Sequence, residues 1–153
     1  MDELELLFVS LGIFVLVFFA IGFLLFILSA LGLMGIAKQN NISNRWMAWI
    51  PVFNVYLFGN VAYGKKYGWL LIILLFVTGL NGQEFNGELI SFPPFIYFVL
   101  SASTLLFVLA ALYKLYSKMS DKAILMFIFT ILSLGLLSPI FLFAIRKNGV
   151  ISY

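Results

Sequence analysis

The chain of 153 residues is 64% hydrophobic, 18% aromatic and 10% charged, carries a formal net charge of +3, and contains neither cysteine nor histidine. Soluble domains are about 45–50% apolar and about 25% charged; a surface built from this composition would aggregate in water, which points to a bilayer as the solvent. The absence of Cys and His excludes a disulfide framework, a thiol nucleophile and a Cys/His metal site.

The chain opens MDELELLFVS, with Asp2, Glu3 and Glu5 where a secretory signal would be basic. The charge-free run that follows is longer than the ~20 residues one crossing requires and too short for two. It predicts an uncleaved first helix over residues 6–37, tilted or projecting from the membrane. A tight helical hairpin broken near Gly22 is the alternative.

The polar stretch KQNNISN, residues 38–44, then breaks the pattern. Ser43 is a candidate N-cap for a short helix from Asn44. That helix should stop at Ile50, because Pro51 disfavours helical geometry in the residue before it, and a second piece can start at Pro51. Trp46, Trp49, Ile50 and Phe53 follow the i, i+3, i+4, i+7 spacing of one helical face. Tryptophan favours the water–lipid boundary and Arg45 can reach phosphate, so residues 44–56 read as an interfacial segment that turns into the membrane at Pro51. Met47 and Ala48 weaken its polar face, so protein as well as lipid should cover it. Asn54 needs hydrogen-bond partners at this depth. Either it satisfies a carbonyl freed at the Pro51 break, or Asn54, Tyr56 and Asn60 line a polar pocket.

The apolar heart of the next element, Trp69–Leu80, is too short to cross alone. Extended backward through Phe58, Val61, Ala62 and Tyr63 it gives a span over 58–80, with Lys65 and Lys66 snorkelling to the headgroups. NGQEFNGE, residues 81–88, carries two Asn-Gly turn signals. A further span, 93–116, opens at Pro93 or Pro94. The last, 122–146, is capped by Ser120 and Asp121 and kinked at Pro139. The whole chain, 1–153, thus reads as a single all-α membrane domain of about four transmembrane helices.

Charge orients it. Lys38, Arg45, Lys65 and Lys66 share a loop without acids, and Lys114, Lys118 and Lys122 share another with Asp121. The positive-inside rule puts loops 38–66 and 114–122 in the cytoplasm and the N-terminus outside. Arg146 and Lys147 disagree, since four crossings would leave them outside. Either the rule fails there, or residues 123–145 enter and return as a re-entrant element broken at Ser138-Pro139.

The stretch Trp46–Gly59 reads W-x-A-W-I-P-x-x-N-x-Y-x-x-G, preceded by Gly32–Lys38, a wide version of G-x-x-x-A-K. Across roughly residues 32–66 the chain resembles a family of functionally uncharacterised small multi-pass membrane proteins of Gram-positive bacteria. The resemblance implies a bacterial cytoplasmic membrane address and a shared structural motif; it implies no activity.

Intramembrane catalysis or ion coupling usually leaves an ionisable residue in a span, and the apolar stretches hold none. Ser101, Ser103, Thr104, Ser133 and Ser138 have no base nearby in sequence. No phosphate-cradling motif or metal carboxylate set is present. No enzymatic activity, cofactor, metal or nucleic-acid partner is expected. Ser103, Ala110 and Ser117 recur at a spacing of seven, a small-residue stripe that Gly22 and Ser29 on the first helix could face. Lys38, Arg45, Lys65 and Lys66 are the expected lipid headgroup contacts. The functional expectation is a membrane interaction protein: an accessory subunit of a transport or secretion complex, or a self-immunity protein. The alternative is a homo-oligomeric channel, transporter or holin-like pore, for which Asn54, Asn60, Ser101, Ser103 and Thr104 are the candidate polar face.

Overall fold

The computed structural model describes residues 3–85 and 88–149. The described chain is mainly helical, as expected of an all-α protein, with one small β-hairpin. Helix α1 (Glu3–Gln39) is a single unbroken element of 37 residues, about 55 Å long. It runs straight through Gly22, so the hairpin alternative does not occur. Its end is closed by Asn40, whose Nδ2 donates to the Ile36 carbonyl at 2.9 Å, and by Asn41 at φ 56°, a left-handed position that asparagine tolerates.

A 3₁₀ helix, Arg45–Trp49, follows. Its N-cap is Asn44, without a side-chain capping bond, so Ser43 does not play the capping role its position suggested. Ile50 is extended (φ −103°, ψ 120°), as the residue before proline should be. Helix α2 (Pro51–Tyr63) starts at the proline.

The single span expected over 58–80 is instead two helices. Gly64, at φ +106°, ends α2, and α3 (Lys65–Leu80) folds back along it. A Cβ on Gly59 would lie 2.8 Å from the Tyr67 carbonyl oxygen and 2.9 Å from the Gly68 Cα, so the two backbones touch at these glycines. At 16 residues α3 is about 24 Å long.

The following loop is more ordered than its turn signals implied. Strands β1 (Gln83–Phe85) and β2 (Glu88–Ile90) pair antiparallel, with Glu84 opposite Leu89. Asn81 closes the base, its Oδ1 accepting from the Phe92 N–H at 2.9 Å. The second Asn-Gly pair, residues 86–87, lies outside the described residues. Helix α4 (Pro94–Met119, 26 residues) then begins with proline in its first turn.

The span expected over 122–146 is also broken. Helices α5 (Ala123–Leu132) and α6 (Ser138–Ile145) flank a turn in which Leu134 (φ 51°) and Gly135 (φ +88°) are left-handed. Pro139 does not kink a continuous helix; it sits in the first turn of α6. The Ser120 hydroxyl accepts from the Lys122 N–H at 3.2 Å at the start of α5.

Cross-contacts fix the directions. On α1, Gly32 abuts Leu142 and Phe143 of α6, and Gly35 abuts Arg146, so α1 and α6 run parallel. Asn148 Nδ2 donates to the Met119 carbonyl at 2.8 Å, bringing the end of α6 back to the end of α4. The α5–α6 pair therefore leaves one end of the bundle and returns to it. Lys118 of α4 reaches the Val61 and Ala62 carbonyls at the end of α2. Helices α1, α2, α4 and α6 thus point one way, and α3 and α5 the other.

This arrangement gathers all nine lysines and arginines at one end, the basic end, while Glu5, Glu84 and Glu88 lie toward the other. The core sits in the basic half, around Leu33, Ile36, Leu57, Leu115, Tyr116 and Met119. The opposite half of α1 is bare: residues 5–24 are exposed on every side. Helices α1 and α4 are long and apolar enough to cross a membrane.

Candidate functional site

The break at Pro51 explains why the motif needs asparagine at 54. In a continuous α-helix the Ala48 carbonyl would accept from the N–H four residues on. The chain instead turns at Ile50, and Ala48 is fully buried. Asn54 closes the gap: its Nδ2 donates to the Ala48 carbonyl at 2.8 Å, while its own N–H donates to the Ile50 carbonyl at 2.7 Å. The carboxamide therefore splices the 3₁₀ helix to α2. Replacing Asn54 with leucine should destabilise the fold by about 1–3 kcal/mol, the cost of a buried carbonyl left without a donor. Thermal unfolding in detergent checks this, and an unchanged midpoint would mean the splice contributes nothing.

Trp46 and Trp49 remain exposed, at 59% and 44%, on the outer side of the 3₁₀ helix, with Ala48 turned inward. Tyr56 is buried and packs against Trp69 of α3 at a tilt of 55°, with 5.0 Å between ring centroids. Asn60 is buried in α2, and its carbonyl accepts from the Gly64 N–H at 2.7 Å where the helix ends.

Asn54, Tyr56 and Asn60 do not share one pocket. Asn54 lines a cavity of about 260 Å³ with Ser29, Ser138 and aliphatic side chains including Leu71 and Val108. Tyr56 and Asn60 line a separate cleft with Asn41 and Lys65. The Asn54 cavity has mostly aliphatic walls, a lining suited to an alkyl chain. The polar set considered for a pore is likewise divided. The Ser103 and Thr104 hydroxyls both donate to the Leu100 carbonyl, at 2.9 and 2.8 Å, closing onto their own helix.

The small-residue stripes do not meet. Ser103 and Ala110 are exposed, Ser117 donates to the Lys114 carbonyl at 3.0 Å, and a Cβ on Gly22 would find nothing within 4 Å. Ser29 faces the cavity instead. Close helix approach occurs at Gly32, Gly35, Gly59 and Gly68, where small residues admit a neighbouring backbone or side chain.

Further polar ties join the short helices α2 and α5 to α4, and the sequence did not single them out. Thr130 donates to the Met126 carbonyl at 2.8 Å, so the Tyr116 hydroxyl, 3.1 Å from Thr130 Oγ1, is the donor in that buried pair. Lys118 Nζ lies 3.2 Å from both the Val61 and Ala62 carbonyls, neutralising the negative end of α2. Lys114 Nζ sits 4.1 Å over the Tyr63 ring. Aromatic–cation spacing on α4 was the available signal for this cluster, yet it reads equally as an interfacial belt.

Lys38, Arg45, Lys65 and Lys66 are exposed at the basic end. Lys38 and Arg45 share a cleft with Arg146 and Lys147, a pairing that only the return of α6 creates. No family model matches this chain, and neither a curated protein nor a solved structure matches it.

Proposed function

We propose that this chain is an integral protein of the bacterial cytoplasmic membrane that works as a non-catalytic interaction subunit, pairing with another membrane protein through α1. In this reading α1 and α4 cross the bilayer, and α3, at 16 residues short of a full crossing by itself, carries the chain back toward the outer face beside them. The 3₁₀–α2 and α5–α6 pairs enter from the cytoplasmic side and return to it. The N-terminus and β-hairpin face outward. The cations gathered at one end support that orientation, because positive charge is retained on the cytoplasmic side, although Asp121 shares that end. The bacterial address rests on the resemblance carried by Trp46–Gly59.

The observation that carries the interaction reading is the bare half of α1. Leu7, Phe14, Phe18, Phe19 and Phe23 are each more than 60% exposed, and the helix meets its own fold mainly through α6, the 3₁₀ helix and α2. In a bilayer lipid also covers such a face, so a partner there would be held by van der Waals packing between helices rather than by burial from water. The test is the mass and composition of the complex extracted gently from its host membrane. A second protein in fixed ratio is expected, and that ratio should collapse when Phe14, Phe18 and Phe19 are changed to alanine. A homogeneous homo-oligomer would replace this reading with the pore, and a bare monomer would remove it.

A further inference from the structure

At the basic end, the last turn of α1, the 3₁₀ helix and the end of α6 enclose an open cleft of about 530 Å³. Lys38, Arg45, Arg146 and Lys147 line it together with Leu31 and Met34, and among the described residues no acidic side chain does. Four like charges around one concavity repel one another. Nothing in the packing of the core requires them there, since Lys38, Arg45 and Lys147 are exposed.

The cleft is also shaped in two zones. Met34 and Leu31 lie about one and two turns before Lys38 on α1, so an apolar wall stands directly beside the cations. Arg146 is held in place. A Cβ on Gly35 would lie 2.6 Å from the Arg146 Cβ, so only glycine lets that side chain settle against α1. Its guanidinium stacks on the Phe143 ring, 3.3 Å from the centroid, and Nη1 donates to the Phe143 carbonyl at 2.7 Å. Among the described residues its remaining N–H groups make no hydrogen bond, so they can address an anion in a fixed plane, the geometry in which arginine recognises phosphate.

We propose that this cleft binds an anionic phospholipid, its phosphate held by Arg45, Arg146, Lys38 and Lys147 and the start of its acyl chains lying along Leu31 and Met34. Basic pockets between membrane helices on the cytoplasmic side have the chemistry to take such headgroups. The inference rests on the membrane reading above. It adds that one anionic lipid is a bound component rather than bulk solvent. The lipid would bridge the first and last helices by neutralising charges that both contribute.

The experiment is native mass spectrometry of the full chain in detergent, titrated with phosphatidylglycerol, cardiolipin, phosphatidylcholine or inorganic phosphate. One phosphatidylglycerol or cardiolipin should be retained in preference to phosphatidylcholine. Each lost cation should weaken binding about five-fold, so Arg45→Gln/Arg146→Gln should lose at least ten-fold. Lys114→Gln/Lys122→Gln removes the same charge outside the cleft and should retain binding. Equal loss in both pairs would mean diffuse attraction and overturn the site. Lack of preference for anionic lipid would overturn it as well. Displacement of the lipid by millimolar inorganic phosphate would assign the cleft to a free anion instead. Failure of the membrane reading is distinguished beforehand, because the chain would then leave the membrane fraction on carbonate washing. Unchanged circular dichroism of the paired variants excludes misfolding as the cause of lost binding.

Discussion

A cysteine placed at Gly149 should resist an impermeant thiol reagent on intact cells and react fully once the membrane is opened, whereas one at Glu84 should react at once. The chain has no cysteine of its own, so each label reports one position. The expected contrast is nearly all-or-none, because it depends on the side of the bilayer and not on a shift in equilibrium. It follows from one geometric fact: Asn148 reaches the Met119 carbonyl, so whatever side holds the end of α4 also holds the end of α6. Four full crossings predict the opposite, with both positions labelled on intact cells. Labelling of Gly149→Cys on intact cells would therefore overturn the re-entrant arrangement of α5 and α6.

The second large effect should come from adding a methyl group at Gly68. A Cβ there would lie 2.5 Å from the Tyr56 carbonyl oxygen and 2.8 Å from its Cδ2. Neither can yield easily: the carbonyl belongs to the backbone of α2, and the ring is wedged against Trp69. Gly68→Ala should force α2 and α3 apart and destabilise the protein by about 3 kcal/mol, near the upper range for overpacking. Gly79 lies on the same helix, with nothing within 4 Å of a built Cβ. Gly79→Ala should therefore be neutral or stabilise by up to about 1 kcal/mol through helix propensity. Opposite signs at two glycines of one helix, read from unfolding in a denaturing-detergent titration, would establish the hairpin contact. Equal midpoints for the two variants would refute it.

Much of the helix pattern is legible in the sequence, and the reasons are local. Helix α1 follows from an uninterrupted apolar run, and Pro51 and Pro94 both open helices because proline suits a first turn. The Asn54 splice is also foreseeable, since a proline break frees a carbonyl and a nearby carboxamide can satisfy it. The break at Gly64 has no such signature, whereas the one before α6 is marked by Ser138-Pro139. Gly64 lies between a Tyr and two Lys, a pattern that also fits a helix passing the interface. Leu134 adopts a left-handed φ of 51° in an apolar stretch whose composition suits continuous helix equally well. Tertiary contacts select the break, above all the approach of α6 to Gly32 and Gly35. The misplaced charges Arg146 and Lys147, together with Ser138-Pro139, were the sequence features that pointed to the return. The separation of Asn54 from Asn60 was invisible, because it depends on which neighbours α2 faces and not on spacing along it.

The contact between α6 and α1 also sets an order of assembly. Helices α2, α5 and α6, at 13, 10 and 8 residues, are each too short to partition into a bilayer as independent spans. They can enter only against helices already in place. The groove at Gly32 and Gly35 is made early in synthesis, but its occupant is made only after the other described helices. Until the ribosome has released Ile145, the first helix waits in the membrane with that groove open. A nascent chain stalled before this point would expose it to whatever else is nearby, so docking of α6 closes the groove on α1.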